Sequence, residues 1–355
     1  MNFTWLEHTH FRILYECFCI IAMLLGLYFL LKKQIKKFKI SAHTPDIFSI
    51  LPKNQATIKQ APVVIKTGFF IDNFVTFNVL QNDFILDGYV WFTYNPSLID
   101  IHVLNRFSFD RGQILFKSEP INKVLGDLGF VQYKIRLQFT AVFDFHLFPL
   151  DNHRLYITLS NPLMTPEEAI FMSDESSLRC ASDFFLSEWS LAHKGIKTGY
   201  KLKLLDPQNV ESAISFPAIS YFFDFTQKGI RRSFVIILPI VLIYFVGYTT
   251  LIFFGYEDFS TSIGVSSGSF TALIAYKFVL ETITPNVGYF TLADHIFNIF
   301  LAFSFVNILI NIYLYLSLRF ESKVLLQEIW LISILCLPFF LMSVLFYFIN
   351  RHKHA

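Results

Sequence analysis

Four apolar runs of about twenty residues each lie close together in the C-terminal third of the chain. They cover residues 234–254, 260–279, 292–318 and 329–349. A helix that crosses a bilayer needs about 20 predominantly apolar residues. The connections between the runs are short, so residues 229–355 are predicted to form a compact four-helix transmembrane bundle.

The composition agrees with this prediction. Hydrophobic residues make up 54% of the chain and charged residues only 16%, against about 25% in an ordinary soluble domain. The net charge of +2 is too small to indicate a polyanionic partner. The composition therefore excludes a disordered chain, a protein that binds nucleic acid and a typical cytosolic enzyme. It indicates a membrane protein that sits in a lipid bilayer and carries one water-exposed domain.

A fifth apolar run, residues 11–31, precedes that domain. It is longer than the apolar core of a usual secretory signal, and Ser41-Ala42-His43 is a poor cleavage site. We therefore expect residues 1–40 to be an uncleaved transmembrane anchor, with a removed signal segment as the alternative. Lysines follow this run at positions 32, 33, 36, 37 and 39. By the positive-inside rule they place the next domain in the cytoplasm.

Residues 45–228 are predicted to form an all-β domain. Apolar and polar residues alternate from Tyr133 to Leu147, with Val142 as the one break. A period of two over fifteen residues is typical of a strand with one buried face. Further strand candidates, separated by turn residues, are 63–73, 84–94, 114–116, 154–159, 187–193, 200–205 and 219–226. Many short strands at this spacing favour a β-sandwich.

The sequence offers little for catalysis or metal binding. Three of the four cysteines lie inside apolar runs, and no pair has zinc-ligand spacing. Neither a GxSxG, an HExxH nor a P-loop motif occurs. His146 falls on the predicted wet face of a strand, where a surface role is more common than catalysis. We expect no cofactor, no metal and no enzyme activity.

Several motifs resemble, in the right order, those of the pentameric ligand-gated ion channel (Cys-loop receptor) superfamily. LDGYVW at residues 86–91 and SEWSL at 187–191 are similar to its strands. FDFHLFPLD at 143–151 is similar to its Cys-loop signature, and Pro239 to the proline of its first bundle helix. Pro285 and the segment YFT at 289–291 look like the linker after its pore helix. The loop lacks flanking cysteines, as in the bacterial branch, and the N-terminal anchor departs from the family pattern.

The resemblance implies a homopentamer in the cell (inner) membrane, with the β domain facing the periplasm or the exterior. It implies a channel for inorganic ions that is gated by a small molecule or by protons. The implied topology conflicts with the lysines after the first run. A different class stays open as an alternative, namely a non-conducting membrane sensor or binding protein on the same scaffold.

The second helix of the bundle is expected to line the pore. Steps of three and four residues place small, mostly hydroxyl-bearing residues on one face. This stripe consists of Thr261, Gly264, Gly268, Thr271, Ala275, Phe278 and Thr282. The alternative is that the small residues let neighbouring helices pack closely. Five copies of Phe278 would form an apolar ring that closes the pore by dewetting.

Charges near the ends of this helix suggest which ions pass. Glu257 and Asp258 precede it, and Glu281 lies near its other end. Rings of carboxylates attract cations, so we expect a cation channel. The alternative is that these carboxylates only complement the helix dipole. Lys277 argues in part against cation preference.

The resemblance also implies an interface that couples the β domain to the bundle. Its candidate residues are Asn82, Asp83, Phe148, Pro149, Asp151, Lys228 and Arg231. Asp151 could pair with Lys228 or Arg231 and switch between two arrangements. The alternative is a turn aspartate that caps its own backbone.

In the family, agonists bind between neighbouring β domains in a box of aromatic and acidic residues. The candidates here are Glu167, Phe171, Tyr200, Phe216 and Tyr221. Such aromatics can hold a cation, but in so aromatic a chain a given Phe is more often a core residue. With ten histidines, protons are an alternative stimulus.

Overall fold

The computed structural model describes residues 9–35, 47–48, 62–204, 213–253, 258–318 and 323–351. The chain divides into two compact units. The β unit consists of Lys39–Asp144 and Asn152–Lys228. The helical unit consists of Met1–Phe38, Phe145–Asp151 and Gly229–Ala355. The segment Phe145–Asp151 is thus part of the helical unit, although it lies within the β region of the sequence.

Two sheets make up the described part of the β unit. The first has the order β1-β11-β12-β8-β4. Its strands are β1 (Ile47–Phe48), β4 (Ser108–Phe109), β8 (His153–Ser160), β11 (Trp189–Leu204) and β12 (Ala213–Gln227). Neighbouring strands in this sheet are antiparallel.

The second sheet has the order β10-β2-β3-β7-β5, and β6 and β9 pair with β7 and β2. Its strands are β2 (Val63–Asn78), β3 (Asp83–Tyr94), β5 (Gly112–Lys117), β6 (Ile121–Leu125), β7 (Leu128–Phe139), β9 (Ala169–Met172) and β10 (Leu178–Cys180). Both short strands that flank β2 run parallel to it. A short helix, α2 (Ile101–Leu104), and a 3₁₀ turn (Glu175–Ser177) complete the unit.

Alternation of apolar residues builds the core of the β unit. Every second side chain of β3 is buried along its whole length, as expected where one face of a strand is dry. Aromatic rings from the two sheets contact one another in this core. Phe69 stacks on Tyr221 with ring centroids 5.2 Å apart, and Phe77 meets Phe225 edge-on at 4.9 Å.

The predicted strand over residues 133–147 is wrong in its second half. Strand β7 ends at Phe139, yet side chains stay alternately buried and exposed from Phe143 to His146. The alternation of buried and exposed side chains therefore continues for a few residues beyond the strand.

The strands predicted separately at 187–193 and 200–205 form the single strand β11. A bulge between Leu191 and His193 keeps it in register with β12. Gly195 allows the Phe222 ring to lie flat on the strand, since a Cβ there would come within 2.3 Å of that ring. Gly195 interrupts the apolar pattern of the strand, and it allows close packing instead of forming a turn.

The helical unit contains α1 (Thr9–Ile35), α3 (Arg231–Ile252), α4 (Phe259–Ile283), α5 (Leu292–Leu318) and α6 (Lys323–Arg351). Among the described residues, α3 to α6 are long and apolar enough to cross a membrane. In α1 the described apolar segment, Leu14–Gly26, is shorter. The four helices lie where the sequence predicts them, and they fit a membrane protein.

A proline in α6 provides a contact point for two other helices. Pro338 lacks an amide N–H, so the carbonyl of Ile334, four residues earlier, loses its helical partner. In apolar surroundings such a group needs a new donor. The hydroxyl of Tyr248 on α3 donates to this carbonyl at 2.6 Å, and that of Tyr15 on α1 at 3.3 Å. The three helices therefore meet at this carbonyl.

An ion pair across two strands of the β unit predicts a pH effect. Asp87 and Arg136 are direct partners of β3 and β7, and the guanidinium donates to both carboxylate oxygens at 2.6 and 2.7 Å. These hydrogen bonds hold the pKa of Asp87 below its ordinary value.

A lowered pKa in the folded state contributes stability above the unfolded value of about 4, and this stability is lost as pH falls through the folded pKa. We expect Asp87→Asn to unfold at a lower temperature than the wild type near neutral pH. The difference should shrink below about pH 4. Thermal unfolding of the whole protein in detergent between pH 3 and 7 tests this, and a constant difference would contradict it.

Candidate functional site

All seven residues of the predicted pore stripe are exposed in the protomer. They lie along one face of α4, from Thr261 near its start to Thr282 near its end. Among the exposed large hydrophobic residues of this helix, Phe278 has the largest exposed fraction, 70%. Among the described residues the stripe therefore lies on the exposed side of α4, and pore lining and packing against another helix both stay predictions.

The opposite face of α4 is the buried one. Its buried residues are Ser262, Ser266, Ser269, Leu273 and Leu280. The Ser269 hydroxyl donates to the carbonyl of Ile243 on α3 at 2.6 Å, and the Ser262 hydroxyl lies 3.1 Å from that of Tyr315 on α5. Small hydroxyl residues at a helix contact allow close approach and add hydrogen bonds. Helices α3 and α5 therefore both contact α4 on the face that carries the serines.

A glycine brings α3 and α4 close together. A Cβ at Gly247 would lie 2.7 Å from the Ser269 hydroxyl oxygen and 2.9 Å from its Cβ, so no larger residue fits. The Gly247 carbonyl also accepts from the amide of Asn307 on α5 at 2.7 Å. This single turn of α3 thus contacts both neighbouring helices.

A tyrosine fixes α4 near its C-terminal end. Pro239 in α3 deprives the Val235 carbonyl of its helical donor. The Tyr276 hydroxyl of α4 lies 3.4 Å from that oxygen and donates to the adjacent Ile236 carbonyl at 3.1 Å. Pro239, which was noted in the sequence, therefore helps to set the rotation of α4 about its axis.

Two of the three predicted selectivity residues belong to the described part of the chain. Asp258, the residue just before α4, and Glu281, in its last turn, are exposed. Glu257 lies outside the described residues. The described carboxylates are thus accessible to solvent at the two ends of the helix that carries the stripe.

Lys277 does not join the exposed stripe. It lies within one turn of Leu273 and Leu280, which are fully buried, so it projects on the packed side of the helix. Its Nζ donates to an Asp294 carboxylate oxygen at 2.6 Å. Lys277 is therefore bonded on the side of α4 that faces α5, and cation preference stays a prediction.

Asp294 also builds the start of α5. Its other carboxylate oxygen accepts from the backbone N–H and the hydroxyl of Thr291 at 2.9 and 2.8 Å. The Asp294 N–H in return lies 3.3 Å from the Thr291 hydroxyl. This reciprocal arrangement is a capping box, with aspartate at its third helical position.

The segment 145–151 is bonded to the same end of α5. The first N–H groups of a helix have no partner inside it. Here Leu292 donates to the His146 carbonyl at 2.9 Å, and Ala293 donates to the Phe148 carbonyl at 3.0 Å. The predicted FPLD turn thus caps α5.

Side chains strengthen this attachment. The His146 ring stacks on Tyr289 with centroids 3.9 Å apart, and the Tyr289 hydroxyl accepts from the Phe145 N–H at 2.9 Å. The Arg232 guanidinium lies over the Phe148 ring at 4.9 Å. Sequence reasoning missed this role of His146, since a strand prediction had placed it on a wet face.

The other predicted coupling residues divide between the units. Pro149 in the helical unit accepts from the Ser233 hydroxyl, Asp151 is buried, and Arg231 is exposed at the start of α3. In the β unit, Asn82 takes a positive φ in the β2–β3 turn, and Asp83 accepts from Gln138 at 3.0 Å.

Lys228 is engaged within the β unit. Its Nζ donates to the Leu186 carbonyl at 2.6 Å and lies over the Phe185 ring at 3.9 Å. A pair between Asp151 and Lys228 or Arg231 stays a prediction.

The predicted ligand residues are mostly core residues. Phe171 and Tyr221 have no exposed surface, and Phe216 is 8% exposed. Burial raises the pKa of the Tyr221 hydroxyl well above its ordinary value. Glu167 is exposed, and Tyr200 is half-buried and donates to the Pro166 carbonyl at 3.2 Å. The core alternative fits Phe171 and Tyr221, because fully buried rings reach no ligand in this conformation.

An ammonium already lies against aromatic rings in the β unit. The Lys117 Nζ is 4.0 Å from the Phe107 centroid and 4.6 Å from that of Tyr133. It donates to the Asn105 carbonyl at 2.5 Å. Burial, aided by the charge of Arg106, lowers the pKa of Lys117 to about 8. No sequence pattern predicts this arrangement, because Lys117 and Tyr133 lie on different strands of the β unit.

Comparison of the chain with protein-family models gives no match, and comparison with curated protein sequences gives none either.

Proposed function

We propose that this chain is one subunit of a homopentameric ion channel of the ligand-gated superfamily, opened by a small molecule or by protons. The β unit would be the sandwich that receives the stimulus, on the periplasmic or exterior side of a cell membrane. Helix α4 would line a central pore through which inorganic cations pass.

The division of α4 into two faces carries this proposal. The face with buried serines attaches the helix to α3 and α5, while the face with Thr261, Thr271 and Phe278 stays exposed. Threonine and glycine residues on an exposed helix face are suited to line a water-filled path. An assembly that turns this face to a common axis gives it a wet environment.

The segment 145–151 supports a gating role. It bonds to the start of α5 and stacks on Tyr289 in the linker between α4 and α5. A displacement of this segment would therefore move the linker that follows the pore helix. A gate needs such an element with two arrangements, biased by the stimulus.

Cation preference rests on the exposed charges at the two ends of α4. Asp258 and Glu281 are exposed, and the ammonium of Lys277 is bonded to Asp294. Five copies of each carboxylate around an axis would favour cations at both mouths.

Recording from the purified full-length protein in planar bilayers tests the proposal. Under steps of pH and in a screen of small amines, we expect gated unitary currents whose reversal potential in a NaCl gradient lies on the cation side. Silence under every condition from a protein that is pentameric by native mass would contradict conduction and favour the non-conducting sensor.

A further inference from the structure

The end of α4 carries one lysine beside the exposed stripe, and the fold directs it away from that stripe. Tyr276 and Lys277 are adjacent in sequence but project to either side of the buried face. The Tyr276 hydroxyl bonds to α3, whereas the Lys277 ammonium bonds to Asp294 on α5. Together the two contacts fix the rotation of this end of the helix.

Other contacts hold both Lys277 and Asp294 in place. Asp294 is 9% exposed and Thr291 is 1% exposed, and the hydrogen bonds of the capping box fix the carboxylate. The Lys277 ammonium also lies 5.6 Å from the Phe297 ring on α5. The carboxylate and the ring face both attract the ammonium, and together they stabilise the position in which it points away from the stripe.

We propose that Asp294 is a specificity-determining residue, which keeps the Lys277 ammonium off the conduction pathway and so leaves Glu281 to set the charge at that mouth. The inference rests on the proposed channel function. Asp294 acts through Lys277 and does not itself contact the permeating ion, so it is a positioning residue.

Asp294→Asn is the decisive variant. The asparagine carbonyl oxygen can still accept from Thr291 and keep the start of α5, but the negative charge is gone. Five released ammonium groups near that mouth, partly screened by salt, should lower the cation-to-anion permeability ratio about three- to fivefold. The ratio is obtained from the reversal potential in a NaCl gradient.

The matched variants are Lys277→Met and the double variant Lys277→Met/Asp294→Asn. If the loss of selectivity arises from the freed lysine, the double variant will return to the wild-type ratio. A merely structural defect at the start of α5 would persist in the double variant. An unchanged ratio in Asp294→Asn, or no recovery in the double variant, would overturn the inference.

A second measurement does not depend on conduction. A water-soluble amine-acylating reagent should label Lys277 several-fold faster in Asp294→Asn than in the wild type, as followed by peptide mass spectrometry. A wild type that never conducts would refute the channel proposal and the selectivity role with it. The labelling rates would still decide whether Asp294 shields Lys277, and equal rates would refute the shielding.

Discussion

Replacing Phe278 by alanine will raise the current that the proposed channel passes without a stimulus by about tenfold or more. The side chain is 70% exposed on the stripe face of α4, so five copies would form an apolar constriction around the axis. A narrow apolar ring closes a pore because water leaves it. Lowering that barrier by only about 1.4 kcal/mol is enough for a tenfold increase.

Two variants serve as controls in the same bilayer recordings. Phe278→Leu keeps an apolar ring and should keep the low unstimulated current. Phe339→Ala removes an equally large ring from α6, where it is 64% exposed, and should leave that current unchanged. If Phe278→Ala responds to a stimulus but passes no more current at rest than the wild type, the gate lies elsewhere.

Replacing Arg154 by methionine will lower the free energy of unfolding of the β unit by about 3–5 kcal/mol. Arg154 and Asp224 are direct partners on β8 and β12, and the guanidinium donates to both carboxylate oxygens at 2.5 and 2.8 Å. The Asp224 side chain is only 5% exposed. Removal of the arginine leaves a buried carboxylate without its main counter-charge, which is why the loss is large.

Thermal unfolding of the full chain in detergent, followed by tryptophan fluorescence, measures this effect. We expect a drop of roughly 10 °C for a unit of this size. His193, whose ring nitrogen lies 3.7 Å from Asp224, is present in both proteins, so the difference between them reports the loss of Arg154. A drop no larger than that of Arg136→Met would contradict the argument, since the Arg136 side chain is 48% exposed and well solvated.

Helix positions were predictable because hydropathy is a local property. The run 292–318 coincides with α5 (Leu292–Leu318), α4 and α6 extend their predicted runs at both ends, and α3 is shifted a few residues towards the N-terminus. Strands were predictable where alternation and partner strand coincide, as in β3. Prediction failed after Phe139, where the pattern continues but the chain bonds to the start of α5 instead of to a strand.

The candidate site was predictable only in part. Helical spacing identified the stripe on α4, because that spacing is fixed by the residues per turn. The spacing could not decide between packing and exposure, since this depends on which face meets α3 and α5. Likewise Phe171 and Tyr221 were plausible ligand residues by type, but the packing of the two sheets buries them completely.

By itself the sequence determined the apolar helices, most strands and the small-residue face of α4, because each follows from periodicity within a segment. Only the tertiary structure decided that the serine face is buried, that Lys277 bonds to Asp294, and that the 145–151 turn caps α5. These contacts join residues from different elements. Their partners are selected by packing and by the need of buried polar groups for hydrogen bonds, which no local pattern encodes.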